Sequence, residues 1–235
     1  MDMEQNYVAV GVLVFTFVFF FLIGLFKRSK SDTILLAGLS GSGKTVLFYK
    51  LRDGSELEKK TVTSMDPNEG DFVLHSEFSK KGKIRPVRVI DVPGDSGLRA
   101  KLDEYLPQAA GLIFVVDAVG FSTNCRAAAE YLYEILTNAL VVKKKVPVLI
   151  MCNKSDKKNA DTKEFIWKQL EKEIDKLRAS RTAVSAADMS TEYALGVAGE
   201  TFKFSQCRNK VSVGESSGLT GKISLVELFI REHVY

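Results

Sequence analysis

Eight residues, Gly38-Leu39-Ser40-Gly41-Ser42-Gly43-Lys44-Thr45, carry the most specific chemistry in the chain. They fit G-x-x-x-x-G-K-[ST], the pattern of a phosphate-binding loop. The glycines let backbone N–H groups close around phosphate oxygens, and a helix that follows turns its positive end toward them. The Lys44 ammonium reaches the β- and γ-phosphates of a nucleotide, and the Thr45 hydroxyl is a hard oxygen ligand for Mg2+. Such a loop needs a strand before it and a helix behind it. Thr33-Ile34-Leu35-Leu36-Ala37 and Val46-Leu47-Phe48-Tyr49-Lys50-Leu51 supply them. At this point the base is open between adenine and guanine.

Two further motifs stand at strand ends. Val87-Arg88-Val89-Ile90 runs into Asp91-Val92-Pro93-Gly94, a D-x-x-G lying 47 residues beyond Lys44. There Asp91 can hold a Mg2+-bound water and the Gly94 N–H can bond a γ-phosphate. The apolar run Val146 to Cys152 ends in Asn153-Lys154-Ser155-Asp156, an N-K-x-D. This tetrad selects the base. The Asp156 carboxylate can accept from guanine N1–H and from its exocyclic amine. Adenine offers no such donor pair and would leave the acid unpaired. The Lys154 stem can cover one face of the base, and Asn153 would tie this loop to the phosphate loop. The hydroxyl-bearing Thr61-Val62-Thr63-Ser64 suits a γ-phosphate sensor, although by itself it reads as an ordinary polar loop. Glu215-Ser216-Ser217-Gly218 occupies the place of a third base-binding loop, whose backbone N–H groups would meet guanine O6.

The elements that must position these groups read as an α/β domain. Gly111 to Asp117 and Val146 to Cys152 are continuous apolar runs, as expected of strands buried on both faces. Asp71 to Phe78 and Arg85 to Asp91 predict two strands around a turn at Lys80 to Lys83. Thr123 to Val142 and Asp161 to Ala179 predict helices, the second with Phe165, Ile166, Leu170, Ile174 and Leu177 on one face. Ser180 to Glu200 predicts an extended loop, Thr201 to Ser205 and Val211 to Val213 short strands, and Ile223 to Arg231 a closing helix.

Before all this lies Val8 to Phe26, 19 residues without a charge. As a helix it would rise roughly 28 Å, close to the thickness of a bilayer core. A cleaved signal peptide would carry a basic flank ahead of a shorter apolar run. Here the leading flank is acidic (Asp2, Glu4) and Lys27-Arg28-Ser29-Lys30 follows, so the expectation is one span with the basic side cytosolic. Residue 2 is Asp and the chain ends Arg231-Glu232-His233-Val234-Tyr235, so neither a myristoylation nor a prenylation signal is visible. The expected organisation is residues 1–7 lumenal, 8–26 spanning, 27–32 a basic linker and 33–235 a cytosolic domain. The remaining composition excludes more than it proposes. With 235 residues and 46% hydrophobic content there is enough chain for one α/β domain plus extras. A net charge of +4 does not point to nucleic acid. Cys125, Cys152 and Cys207 lack zinc or disulfide spacing, and His75 and His233 are the only histidines, which excludes a histidine metal cluster.

With G-x-x-x-x-G-K-T, D-x-x-G and N-K-x-D in hand, the chain resembles small GTPases of the Ras and Arf type over most of Thr33 to Arg231. The anchor, together with Thr201-Phe202-Lys203-Phe204-Ser205-Gln206 before the last strand, resembles the β subunits of the signal recognition particle receptor. That resemblance implies a P-loop small-GTPase fold with a mostly parallel, doubly wound sheet and an insertion at about 180–209. It implies that GTP is contacted by Gly38 to Thr45, Val46, Thr61 to Ser64, Gly94, Asn153, Lys154 and Asp156, with Ser217 and Gly218 at the third base loop. Mg2+ would sit on Thr45 and Thr61, and on Asp91 through water. It implies a site on the endoplasmic reticulum membrane, near ribosome and translocon, and a GTP form that grips the receptor α subunit. Two departures matter. The last base loop reads Ser217-Gly218-Leu219 where S-A-K is usual, and Asp95 stands where Ras-type enzymes have Gln and this family often has His. A carboxylate is a poor replacement for the Gln that orients the attacking water, so hydrolysis is expected to be slow or partner-dependent. An Arf/Sar-type trafficking switch is the alternative, although such proteins attach reversibly, and N-K-x-D argues against an ATP-dependent enzyme.

Overall fold

Short runs of aliphatic and β-branched residues, each closed by glycine or a polar turn, fold as strands, and the amphipathic stretches between them cover both faces. The structure, a computed structural model, describes Thr16 and residues 31–54, 64–78, 85–184 and 194–235. The chain divides into two units, Met1–Lys30 and Ser31–Tyr235. In the first unit only Thr16 is described, and it is helical. The rest of Val8 to Phe26 lies outside the described residues, among which no helix is long and apolar enough to cross a membrane. Thr61 to Thr63, the turn at Lys80 to Lys83 and residues 185–193 of the insertion lie outside them as well.

In the second unit the order is β1 (Thr33–Ala37), α1 (Lys44–Asp53), β2 (Asn68–Phe72), β3 (Val87–Asp91), α2 (Lys101–Tyr105), β4 (Ala109–Asp117), α3 (Phe121–Thr137), α4 (Ala139–Lys144), β5 (Val148–Asn153), α5 (Lys163–Val184), β6 (Val211–Glu215) and α6 (Ser224–Val234). The six strands form one sheet in the order β2-β3-β1-β4-β5-β6. Every pairing is parallel except that of β2 with β3. Alternate residues of the central strands face opposite ways. Leu35, Ile90, Leu112 and Phe114 pack with Tyr131 and Leu132 of α3 and with Ile166, Leu170 and Ile174 of α5. Ile34, Leu36, Val89 and Ile113 pack with Leu47 and Phe48 of α1 and with Val226, Phe229 and Ile230 of α6. Parallel strands bring the carboxyl ends of β1, β3, β4 and β5 to one edge, where α/β sheets bind ligands.

Four expectations need correction. The strand placed at Asp71 to Phe78 begins at Asn68 and ends at Phe72, and His75–Glu77 is a 3-10 turn. The helix placed at Thr123 to Val142 is two helices, because Asn138 leaves the helical conformation and its Oδ1 accepts from the Leu140 N–H at 2.9 Å, capping α4. Thr201 to Ser205 is not a strand. Its Phe202 and Phe204 N–H groups donate to Asp175 and Glu171 of α5, at 2.9 and 3.0 Å, instead of to a neighbouring strand. The chain then makes a 3-10 turn at Phe204–Gln206. Finally α5 runs to Val184, so the first residues of the expected loop at Ser180 are helical.

Candidate functional site

The phosphate loop is shaped by contacts that tolerate no side chain. A β-carbon on Gly38 (φ +134°) would meet the Val115 carbonyl oxygen at 2.2 Å, and one on Gly43 (φ +91°) would meet Asn153 Nδ2 at 2.3 Å. The Gly43 carbonyl then accepts from Leu47 N–H and starts α1. Lys44 is buried, and its Nζ donates to the carbonyls of Gly38 at 2.9 Å and Leu39 at 3.0 Å. An ammonium has three protons, so one is left for a phosphate oxygen. Burial pulls the Lys44 pKa down and the charge of Asp91 partly opposes it. Gly94 sits directly against the loop, since a β-carbon there would lie 2.5 Å from Leu39 C and Ser40 N.

Beside Lys44 is a corner of oxygens. Thr45 Oγ1 donates to Asp91 Oδ2 at 2.6 Å, and Asn68 Nδ2 donates to the same oxygen at 3.0 Å. Ser64 Oγ lies 3.4 Å from Thr45 Oγ1 and accepts from Asn68 Nδ2 at 3.4 Å. Asp91 is 1% exposed, and its other oxygen, Oδ1, is buried without a partner among the described residues, as is Ser42 Oγ. Burial raises the Asp91 pKa, while the hydrogen bonds from Thr45 and Asn68 and the charge of Lys44 act the other way. A buried carboxylate oxygen without a partner, next to a hydroxyl, is a donor set that suits a hard divalent cation and its water. Among the described residues no group of three or more His, Cys, Asp and Glu side chains could hold a metal by itself. A cation here would therefore share its shell with phosphate and water, as Mg2+ does.

Asn153 joins the phosphate loop to both base loops. Its Nδ2 donates to the Ser42 carbonyl at 2.9 Å, and its Oδ1 accepts from Ser216 Oγ at 3.2 Å and Gly218 N–H at 3.1 Å. Lys154 adopts a left-handed backbone (φ +66°), and its Nζ lies 2.7 Å from Asp117 Oδ2. The Ser217 hydroxyl beside Asp156 holds that carboxyl below the usual range, and Ser217 Oγ accepts from the Thr220 N–H at 3.1 Å. Ser217 and Gly218 are thus engaged with Asp156 and Asn153, which they position. Asp156 itself is exposed and can meet a base. Asp95 Oδ1 accepts from Gly97 N–H at 2.8 Å and caps the turn Ser96–Leu98.

A cavity of about 240 Å³ is lined by Ser40, Gly41, Gly43, Lys44, Thr45, Val46, Ser64, Asp91, Gly94 and Lys154 among others. Motifs far apart in sequence therefore converge on one space. Sequence reasoning missed Asn68 and Asp117, and it placed Ser216 in the third base loop without its side-chain bond to Asn153. Asp117 carried a signal, as the charge that ends the β4 run. Asn68 carried none, because its partner is fixed only by strand pairing. Burial holds the thiols of the three free cysteines well above their usual range, Cys125 at about 11 and Cys152 and Cys207 at about 12, so none is a ready nucleophile.

A family model described as the signal recognition particle receptor beta subunit matches residues 29–211. The chain belongs to this family. It is 35% identical over 219 residues to the human signal recognition particle receptor subunit beta, covering 92% of this chain and 78% of that one. The solved structure titled as the mammalian SRP receptor superimposes with a TM-score of 0.73 at 32% identity, covering 85% of this chain and 98% of that chain. The SRb-GTP/SRX complex from Chaetomium thermophilum matches at a TM-score of 0.70 and 20% identity, covering 86% of this chain and 99% of that chain, a likeness of fold. Membership makes the chain a GTP-binding protein of the Arf-like small-GTPase class and a β subunit of this receptor.

Proposed function

We propose that the chain is a membrane-anchored GTP switch that holds the receptor α subunit at the endoplasmic reticulum for co-translational targeting. One observation carries the nucleotide part of this reading, the Asn153 bridge from Ser42 of the phosphate loop to Ser216 and Gly218 of the last base loop, and family membership supports the partner. The bridge makes recognition of guanine and seating of the phosphates parts of one rigid unit. Asp156 would accept from guanine N1–H and the exocyclic amine, and the Lys154 stem would lie along the ring. The N–H groups of Gly38 to Thr45 and the free Lys44 proton would hold the phosphates. Mg2+ would rest on Thr45, on a hydroxyl of Thr61 to Ser64, and on Asp91 through water, neutralising charge on the β- and γ-phosphates. Asp95, engaged with Gly97, offers no neutral amide to an attacking water, so hydrolysis is slow unless the partner supplies groups.

Val8 to Phe26 would anchor the chain, with Lys27, Arg28 and Lys30 keeping the nucleotide domain cytosolic and near ribosome and translocon. Three measurements test the proposal. Unlabelled GTP, and not ATP, should displace fluorescent GDP from the protein. Purification of the tagged chain from detergent-solubilised membranes should recover a receptor α subunit, and loss of that partner in the GDP-loaded form is the expected switch. Release of the chain from membranes by alkaline carbonate would favour a reversible, Arf/Sar-type attachment instead.

A further inference from the structure

Asp91 stands at the end of β3, and the antiparallel register pairs it with Asn68 at the start of β2. The pairing has a side-chain counterpart in the 3.0 Å bond from Asn68 Nδ2 to Asp91 Oδ2. Thr45 Oγ1 fills the same oxygen at 2.6 Å, so Oδ2 already accepts two hydrogen bonds. Oδ1 is left buried with no partner among the described residues. A carboxylate held by one oxygen cannot rotate without breaking both bonds, so its second oxygen stays presented in one direction. We infer that Asn68 is a positioning residue for the cation: it fixes which Asp91 oxygen faces the metal-bound water and so sets the affinity for Mg2+.

This assignment deepens the proposed Mg2+–GTP site and rests on it. Outer groups that orient a metal-facing carboxylate commonly change metal affinity by about 10-fold to 100-fold when removed. Asn68 has a second link that strengthens the case. Its amide also reaches Ser64 Oγ at 3.4 Å, so the residue joins the hydroxyl segment before β2 to the acid of D-x-x-G. No motif search finds it, since it lies in neither motif and meets Asp91 only through β2–β3 pairing. The polar β2 edge strand thereby gains a role in the site that its composition does not suggest.

The test uses the full chain in detergent micelles, loaded with fluorescent GDP, with nucleotide release followed while Mg2+ is titrated against a chelator. Asn68→Ala is expected to raise the Mg2+ concentration that halves the release rate by about 10-fold. At saturating Mg2+ release should return to the wild-type rate, and thermal unfolding without Mg2+ should be little changed. In an Asp91→Ala background the same substitution should add no further shift, because Asn68 acts through Asp91. An unchanged Mg2+ midpoint overturns the assignment, as does an equal extra shift in the Asp91→Ala background. Asn68→Val removes the donor while suiting a strand, and carries the same expectation if the alanine variant does not fold. A wild-type chain that fails to retain GDP overturns the nucleotide site itself, whereas retention with an unmoved midpoint overturns the role of Asn68 alone.

Discussion

At the residue scale the site separates groups that would touch the nucleotide from groups that hold them. Asp156 is of the first kind. Ser217 donates to it and keeps it ionised, and Asn153 holds the loop against Ser42. Asp156→Asn should weaken GTP binding, because a hydrogen bond to a charged group is worth about 1.5–3 kcal/mol, or about 10-fold to 150-fold in Kd. The amide can donate to the carbonyl that xanthine carries where guanine has its amine. Competition binding should therefore show the variant gaining affinity for xanthosine triphosphate, and GTP affinity equal to wild type would remove Asp156 from the base site. Asp95 is of neither kind. Near a triphosphate an ionised carboxylate would meet like charge, and its Oδ1 is instead spent on the Gly97 N–H. Asp95→Ala should leave single-turnover GTP hydrolysis essentially unchanged in the isolated protein. A fall on the order of 100-fold, the size of a lost general base, would show that Asp95 takes part in catalysis.

Among the elements, β2 is the hardest to read, although it sets Asn68 against Asp91. Asn68-Glu69-Gly70-Asp71-Phe72 is poor in strand-forming residues and lacks a clean alternation, because an edge strand needs little apolar surface. The more apolar Asp71 to Phe78 has the stronger strand pattern, yet only Asp71 and Phe72 of it pair in β2. Thr201-Phe202-Lys203-Phe204-Ser205 misled in the opposite way. Its alternation is real and buries both phenylalanines, yet its amides belong to carboxylates of α5, a partner that no local pattern reveals. The helix break at Asn138 was invisible because asparagine is tolerated inside helices as well as at caps. By contrast β1, β4 and β5 are legible, because buried parallel strands leave continuous apolar runs, and β3 is legible from the D-x-x-G that closes it. A tie between elements can be checked by pH. Tyr105 at the end of α2 donates to Glu69 Oε1 at 2.7 Å, and Arg88 of β3 reaches the other carboxylate oxygen at 2.8 Å. The Glu69 bond pushes the Tyr105 pKa up to about 12. A raised folded-state pKa means that the stabilisation is fully present below the ordinary tyrosine value, near 10, and is lost as pH rises through about 12. Tyr105→Phe should lower stability modestly at neutral pH and remove that alkaline loss. Urea unfolding against pH reads the first effect, and ultraviolet titration of the phenolates should show one fewer late-titrating group.

For the whole molecule the question is how far the nucleotide domain depends on the segment before it. Ser31–Tyr235 forms its own compact unit. Among the described residues, both core clusters draw only on positions from Ile34 onward, one on each face of the sheet. The first strand starts at Thr33 and is buried along its length, with Leu35 and Ala37 in one cluster and Ile34 and Leu36 in the other. A domain of this length buries enough surface to fold without help. The convergence of Gly38–Thr45, Asp91 and Asn153–Asp156 likewise uses only the carboxyl ends of strands inside it. Val8 to Phe26, in contrast, has no charged residue, and under the proposed anchoring it would need a bilayer or detergent around it. Deleting Met1 to Phe26 should therefore give a protein that is soluble without detergent. Its GDP release rate, Mg2+ midpoint and urea unfolding midpoint should equal those of the full chain in micelles, because none of the groups that set them has been removed. Receptor α subunit should still bind the GTP-loaded domain, while flotation with endoplasmic reticulum vesicles should be lost. Insoluble or nucleotide-free material after the deletion would show that the N-terminal segment completes the core, and the boundary at Ser31 would then have to move toward the N-terminus.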